Sequence, residues 1–240
     1  MSNLNIPTET IELPSKGLVY PESNPLSSGE VEMKYMTAKE EDILTNQTLI
    51  EKGTVLDKLL ESLTLNKIKI NDLIPGDKNA LLIAARILGY GSKYKFIWKG
   101  EEQECDLQTL ESSPFDDSSL VETGKNEFKY TLPGCGLDIT YKLLTASDEF
   151  NIKREIEGLK KINKENSAEL TTRLKYMILS VDGNNDKKVI REFVDNMRVL
   201  DSKSLRDHIK ITQPNVNTKI MLDGGEEIDL PITINFFWPD

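Results

Sequence analysis

Residues 33–41 read Met33-Lys34-Tyr35-Met36-Thr37-Ala38-Lys39-Glu40-Glu41, and residues 141–149 read Tyr141-Lys142-Leu143-Leu144-Thr145-Ala146-Ser147-Asp148-Glu149. Each stretch begins as a half-buried strand and then turns at a threonine with an acid three residues later. That is the spacing of a capping box, in which the threonine caps a helix and the acid reaches back to it. Two further anchors follow in the same order. Asp77-Lys78-Asn79-Ala80-Leu81 falls on Asp201-Ser202-Lys203-Ser204-Leu205, and Cys105-Asp106-Leu107 falls on Ile228-Asp229-Leu230. The chain therefore reads as an internal duplication of one unit: strand, capped helix, further helices, β-hairpin. The expected class is α+β with a helical core and small hairpins.

Working outward, helical periodicity predicts a helix from about Leu49 to Leu65, with Val55, Leu56, Leu59, Leu60 and Leu63 on one face. Another is expected from Asp77 as N-cap to Gly89. Lys95–Trp98 and Glu104–Leu107 flank a Lys99-Gly100 turn and read as a hairpin. In the second copy, Phe128–Leu132 and Asp138–Leu144 pair through Pro133-Gly134-Cys135-Gly136. The longer offset between the later anchors is absorbed by a helical stretch over residues 148–197. The expected organisation is an extended N-terminal arm over 1–30, a first repeat over 31–113, a linker over 114–126 and a second repeat over 127–240. The arm contains Pro7, Pro14, Pro21 and Pro25 with Gly17 and Gly29, a composition that favours extended chain over helix. Its apolar residues, among them Leu13, Leu18 and Tyr20, imply that it is tacked down on its own domain or on a neighbour.

Composition limits the chemistry. The 240 residues carry 30 basic and 40 acidic side chains, a formal charge of −10, which disfavours broad binding to nucleic acid or anionic membrane. No apolar run approaches the length of a membrane span. One histidine and two cysteines are too few for the usual zinc sets, and Cys105 and Cys135 read as free thiols in a reducing cytosol. No phosphate-binding loop, dinucleotide fingerprint or nucleophile elbow occurs. Asp182-Gly183-Asn184-Asn185-Asp186 opens like a calcium loop, but Lys187 and Phe193 stand where glycine and glutamate are needed. His208 reads as a partner for a helix C-terminus. The acidic pairs, such as Glu101/Glu102 and Asp116/Asp117, read as solvated. No catalytic, cofactor or metal residue is assigned. The ending Ile234-Asn235-Phe236-Phe237-Trp238 concentrates aromatics that are costly to leave in water. They either plug the chain's own core or anchor it in a partner.

The combination Leu13-Pro14-Ser15-Lys16-Gly17 with Tyr20-Pro21, Met36-Thr37-Ala38 with Glu41-Asp42-Ile43-Leu44, Gly76-Asp77-Lys78-Asn79-Ala80-Leu81, Tyr90-Gly91, Asp201-Ser202 with Leu205-Arg206, and Phe236-Phe237-Trp238-Pro239 resembles the baseplate hub assembly protein, or hub chaperone, family of T4-type contractile-tailed phages. The resemblance spans about Leu13 to Asp240. It implies a non-enzymatic protein that helps build the baseplate hub through contacts with other hub or tail proteins, without nucleic acid or membrane, as a possible oligomer in a larger assembly. Its place would be the host cytoplasm during assembly; retention in the virion baseplate is left open. The docking residues it implies are Leu13, Pro14, Leu18 and Tyr20 of the arm and Phe236, Phe237 and Trp238 of the tail. The family's hairpins are implied to be zinc-ribbon-like knuckles, but here the first keeps only Cys105 and the second, over 213–230, has no cysteine. Metal is therefore not expected. The competing readings are an acidic, carboxylate-based hydrolase and a host regulatory protein-binding module.

Overall fold

The elements of each half are tied together by one carboxylate at the start of a helix. A computed structural model describes residues 6–113, 115–162, 168–222 and 224–238. In the first half, β1 (Thr8–Glu12) pairs antiparallel with β2 (Glu30–Lys34), Ile11 opposite Val31. Helices α1 (Ala38–Leu44), α2 (Gln47–Glu51), α3 (Val55–Leu63) and α4 (Pro75–Tyr90) follow, and β3 (Lys93–Trp98) and β4 (Glu101–Asp106) close the unit as a hairpin. In the second half, β5 (Phe128–Thr131), β6 (Asp138–Tyr141) and β7 (Ile178–Val181) form a sheet in the order β5-β6-β7. Helices α5 (Ala146–Ile162) and α6 (Glu169–Met177) lie between β6 and β7. Helices α7 (Lys187–Asp195) and α8 (Val199–Thr212) precede the last hairpin, β8 (Lys219–Met221) and β9 (Glu227–Asp229). The fold is α+β.

The duplication extends to side-chain geometry. Glu40 accepts hydrogen bonds from the Thr37 amide (2.9 Å) and hydroxyl (2.7 Å), from Ser62 (2.7 Å) and from Lys34 (2.8 Å). Asp148 does the same with the Thr145 amide and hydroxyl, both at 3.0 Å, and with Lys142 at 2.7 Å. A second pair joins each opening hairpin to its distant helix. Asp77, third residue of α4, accepts from the Ser15 amide (2.9 Å), the Ser15 hydroxyl (2.6 Å) and the Tyr20 hydroxyl (2.6 Å). Asp201, third residue of α8, accepts from the Gly134 amide at 2.5 Å. Ser15 lies in Leu13-Pro14-Ser15-Lys16-Gly17 and Gly134 in Leu132-Pro133-Gly134-Cys135-Gly136, so the turn itself is duplicated. A side chain at Gly134 would run into Asp201, its Cβ only 2.6 Å from the carboxylate. The helix N-terminus adds its dipole to the hold on each anion. Both closing hairpins repeat one hydrogen bond, Leu107 to Ser92 (2.8 Å) and Leu230 to Thr218 (2.9 Å).

One continuous apolar core runs through both halves, from Leu13 and Val19 to Phe236 and Phe237. The arm, expected to be extended and tacked down, lies on its own chain: its Thr8–Glu12 segment is a strand of the first sheet, and its turn reaches α4 through Asp77. Three expectations change. The 49–65 helix is broken at Lys52-Gly53-Thr54, where Gly53 has φ 67°, into α2 and α3. Asp77 is not the N-cap; Ile74 is, because Pro75 occupies the first helical position and frees Asp77 to reach outward. The 148–197 stretch also contains a strand, β7, whose Ile178 and Val181 are buried against β6.

Replacing Asp77 by alanine leaves a buried hydroxyl pair and an amide without an acceptor, and should cost about 3 kcal/mol in urea unfolding. Asp201→Ala, which frees a single amide, should cost about 1 kcal/mol. Equal losses would show that the two clasps are not ranked by their hydrogen bonds. Burial alone would raise the Glu40 carboxyl, but the bonds from Lys34, Thr37 and Ser62 outweigh it and hold it at about 2. Its ordinary value is about 4.5, so its contribution is complete above pH 4.5 and lost as pH falls toward 2. Glu40→Gln should therefore flatten the acid limb of the stability profile in that window and leave its slope above pH 5 unchanged.

Candidate functional site

The site begins where the two repeats meet. Ala146 donates its amide to the Leu73 carbonyl at 2.9 Å, and Gly76 packs so closely on Pro214 that a Cβ there would lie 1.9 Å from the Pro214 oxygen. Beside this seam lies an open cavity of about 260 Å³. Ile74 and Pro75, Leu143 and Leu144, Leu174 and Met177 of α6 and Ile209 of α8 supply its apolar lining. Arg173, Arg206, Lys210 and Glu149 stand around this apolar surface.

Comparison with the first repeat explains why the cavity exists. Leu144 corresponds to Met36, Gln213 to Gly89, Glu149 to Glu41 and Pro214 to Tyr90. In the first repeat Met36 lies across Gly89, where a Cβ would be only 2.4 Å from its sulfur, and Tyr90 closes onto Glu41 at 3.5 Å. With glutamine in place of glycine and proline in place of tyrosine, neither closure is available to the second repeat, and its groove stays open.

The charges differ in the same way. Arg86, the counterpart of Lys210, is buried and engaged: it donates to the Phe236 carbonyl (3.1 Å) and the Gly91 carbonyl (3.2 Å) and lies over the rings of Tyr90 and Tyr94. Lys210 makes no ion pair or hydrogen bond among the described residues, and Arg206 uses only its Nε, on the Ser202 carbonyl at 3.2 Å. Arg173 is held by Glu149 at 2.7 Å, which raises its already high pKa, and by Glu169. The groove thus has one neutralised and two unneutralised cations beside an apolar lining, in a chain of charge −10.

The docking residues implied by the resemblance are not gathered here. Leu13, Pro14 and Tyr20 are buried in the core of this chain, and Phe236 and Phe237 are sealed at 1 % and 0 % exposure. Phe236 stands 4.9 Å from the Tyr94 ring, so the tail crosses back from the second hairpin to plug the first repeat. These five residues offer no surface to a partner in this conformation: apolar area on this scale is better buried intramolecularly than held in water. Leu18 is half-buried and Trp238 is 39 % exposed.

His208 is not an exposed helix-end partner. It stacks on Tyr130 (centroids 4.3 Å apart) and meets Tyr141 edge-on, and burial lowers its pKa against the pull of Asp116. Cys105 is half-buried, its thiol pushed up by burial to about 11, whereas Cys135 is exposed in the β5–β6 turn. No group of three potential metal ligands occurs among the described residues, and no helix among them is long and apolar enough to cross a membrane. No family model, curated protein or solved structure matches the chain.

The groove residues carry one sequence signal that periodicity alone does not reveal. Lys58–Glu61 and Glu169–Arg173 are helical pairs of opposite sign, whereas Arg206 and Lys210 on α8, like Lys187 and Arg191 on α7, are like charges four apart. Such a pair is mildly unfavourable unless an anion joins it. If the tail is core, Phe236→Ala should lower stability by about 3–5 kcal/mol in denaturant titration, and Trp238→Ala by less than about 1 kcal/mol. The reverse ranking would restore the tail as an external anchor.

Proposed function

We propose that this chain is a non-enzymatic structural or assembly protein of a contractile phage tail baseplate, helping to form or chaperone the hub in the host cytoplasm through protein–protein contacts. The observation that carries the reading is the inter-repeat groove, joined to a resemblance that runs from Leu13 to Asp240. The groove is apolar in its lining, cationic at its rim and left open only in the second repeat. Its occupant is a segment of a hub or tail protein that presents an apolar side chain next to carboxylates. The first repeat supplies the precedent within the chain itself. There the cation corresponding to Lys210 is engaged by the carbonyl of an aromatic tail segment.

A carboxylate hydrolase is less well supported. Asp77, Glu40, Asp148 and Asp201 are buried, but each is spent in a separate structural clasp rather than facing another acid across a cleft. The groove contains one carboxylate, Glu149, and Arg173 holds it. Acid–base chemistry with paired carboxylates needs two in different environments. A host regulatory module would use the same groove for another partner.

Co-expression with the hub and tail proteins encoded in the same genome separates these readings. The expected result is co-elution with at least one of them, weakened roughly tenfold or more by the double reversal Arg206→Glu/Lys210→Glu with the fold intact by circular dichroism. Elution as a lone monomer with all of those proteins present would overturn the assembly reading. Co-elution untouched by the reversal would remove the groove from it.

A further inference from the structure

The two closing hairpins stand side by side with a gap between them. At its base the chain leaving β4 and the chain entering β8 form a short antiparallel ladder: Ser113 donates to Asn215 (2.7 Å) and Asn217 to Glu111 (2.8 Å). At its tip Lys99 meets Glu226 at 2.9 Å, and the Trp98 indole N–H donates to the same carboxylate at 3.4 Å. Between them lies a cleft of about 390 Å³. Its walls include Glu104, Cys105 and Asp106 of β4 and Lys219, Ile220 and Met221 of β8. Successive strand residues point to opposite faces, so a cavity touching three in a row on both walls runs along the strand edges.

The hydrogen-bond register shows what those edges offer. Leu107 donates to Ser92, so Cys105 and Tyr94 exchange bonds inside the hairpin while the backbone groups of Glu104 and Asp106 point outward. Leu230 donates to Thr218 and Leu222 to Glu226, which makes Ile220–Ile228 the bonded pair and turns Lys219 and Met221 outward. The Asn217 side chain accepts from the Lys219 amide at 3.2 Å. Glu104 and Met221 are left with outward-facing backbone groups, and Asp106 with its amide, its carbonyl already accepting from the Thr109 hydroxyl at 2.7 Å. Protein edges of this kind are normally covered or blunted. Here β4 runs toward the base of the cleft and β8 runs away from it, so a chain entering between them lies antiparallel to one and parallel to the other.

The geometry points to a strand-accepting slot, in which an extended segment of another protein, carrying basic side chains, inserts between β4 and β8 and joins the two hairpins into one five-stranded sheet. The charge of the occupant follows from the walls. Glu104, Asp106 and Glu111 line the cleft against a single lining cation, Lys219, which is paired with Glu227 at 3.0 Å; Glu104 meets Lys93 at 3.4 Å, and Asp106 and Glu111 have no ion pair among the described residues. Main-chain bonds would supply the affinity and the acids the preference. The slot is independent of the groove and differs from it in the sign of charge it selects.

The probe is an acetylated, amidated hexapeptide of alternating lysine and valine. Its controls are the glutamate-for-lysine peptide and a version with proline at a central position, which cannot supply the ladder. Amide hydrogen exchange by nuclear magnetic resonance on the full chain should show slowed exchange at Glu104, Asp106 and Met221 with the basic peptide alone. Trp98 fluorescence at the tip should change in parallel. Met221→Pro removes an outward N–H without touching the hairpin's own bonds and should abolish the response. Should that variant lose its fold, Glu104→Lys/Glu111→Lys, both exposed, should weaken the basic peptide roughly tenfold and improve the acidic one. The proposal is overturned by an equal response to the acidic or proline peptide, by protection confined to α8, or by no protection at saturating peptide.

Discussion

The carboxylate of Asp77 is the constraint from which the first half is built. It is fully buried, has no cationic partner among the described residues, and is satisfied by the amide and hydroxyl of Ser15 and the hydroxyl of Tyr20, 62 and 57 residues earlier, together with the start of α4. A buried anion tolerates little displacement, because each lost donor leaves a desolvated charge. The clasp therefore fixes three things together: the hairpin turn, the position of Tyr20, and the point at which α4 enters the core. Burial and the adjacent Asp77 charge push the Tyr20 phenol far above its ordinary pKa, so it remains a donor under any ordinary condition. Asp201 repeats the arrangement with a single donor, because glycine replaces serine at Gly134 and no tyrosine arrives. The second half also has a third strand, β7, where the first half has only the bridge between Met33 and Thr64.

The copies also meet unequally. Gly76 lets the N-terminus of α4 lie directly on the Pro214 backbone. The corresponding residue of α8 is Leu200, which is 61 % exposed and too large to repeat the contact. At the other end, the surface of the first repeat that would receive such a contact is sealed by Phe236 and Phe237. Arg86 holds the Phe236 carbonyl in that seal.

The duplication was legible in the sequence because its signals are local: Thr37 with Glu40, Thr145 with Asp148, and the Lys99-Gly100 turn, where both residues have positive φ. Local hydrogen bonding and turn chemistry place these features whatever surrounds them. What was not legible depends on distance. Asp77 looked like an N-cap because its true acceptor role is played toward Ser15 and Tyr20, invisible to a local reading. The strand β7 was hidden because Ile178-Leu179-Ser180-Val181 follows a helix without punctuation, and only pairing with β6 makes it extended. The tail could not be assigned from its aromatics, since core and interface favour the same residues. The groove was missed because it is an absence, produced by Gln213 and Pro214 standing where Gly89 and Tyr90 stand in the other copy.

Charge placement follows from the same two halves. A chain with ten excess acids has carboxylates enough to neutralise every base, and Lys58–Glu61 in α3 and Glu169–Arg173 in α6 do so at three- and four-residue spacing. Arg206 and Lys210 make no ion pair among the described residues and stand beside the apolar recess that the first repeat closes and the second leaves open. Glu104, Asp106 and Glu111 gather instead along the strand edges that the hairpins leave unpaired. Surplus charge of each sign thus sits next to a different kind of unsatisfied surface, apolar area in one case and backbone hydrogen-bonding groups in the other. Apolar area attracts any hydrophobic segment and an open strand edge attracts any extended one, so neither selects a partner by itself. The adjacent charge supplies that selection, with opposite sign at the two places, and a segment suited to one is repelled by the other.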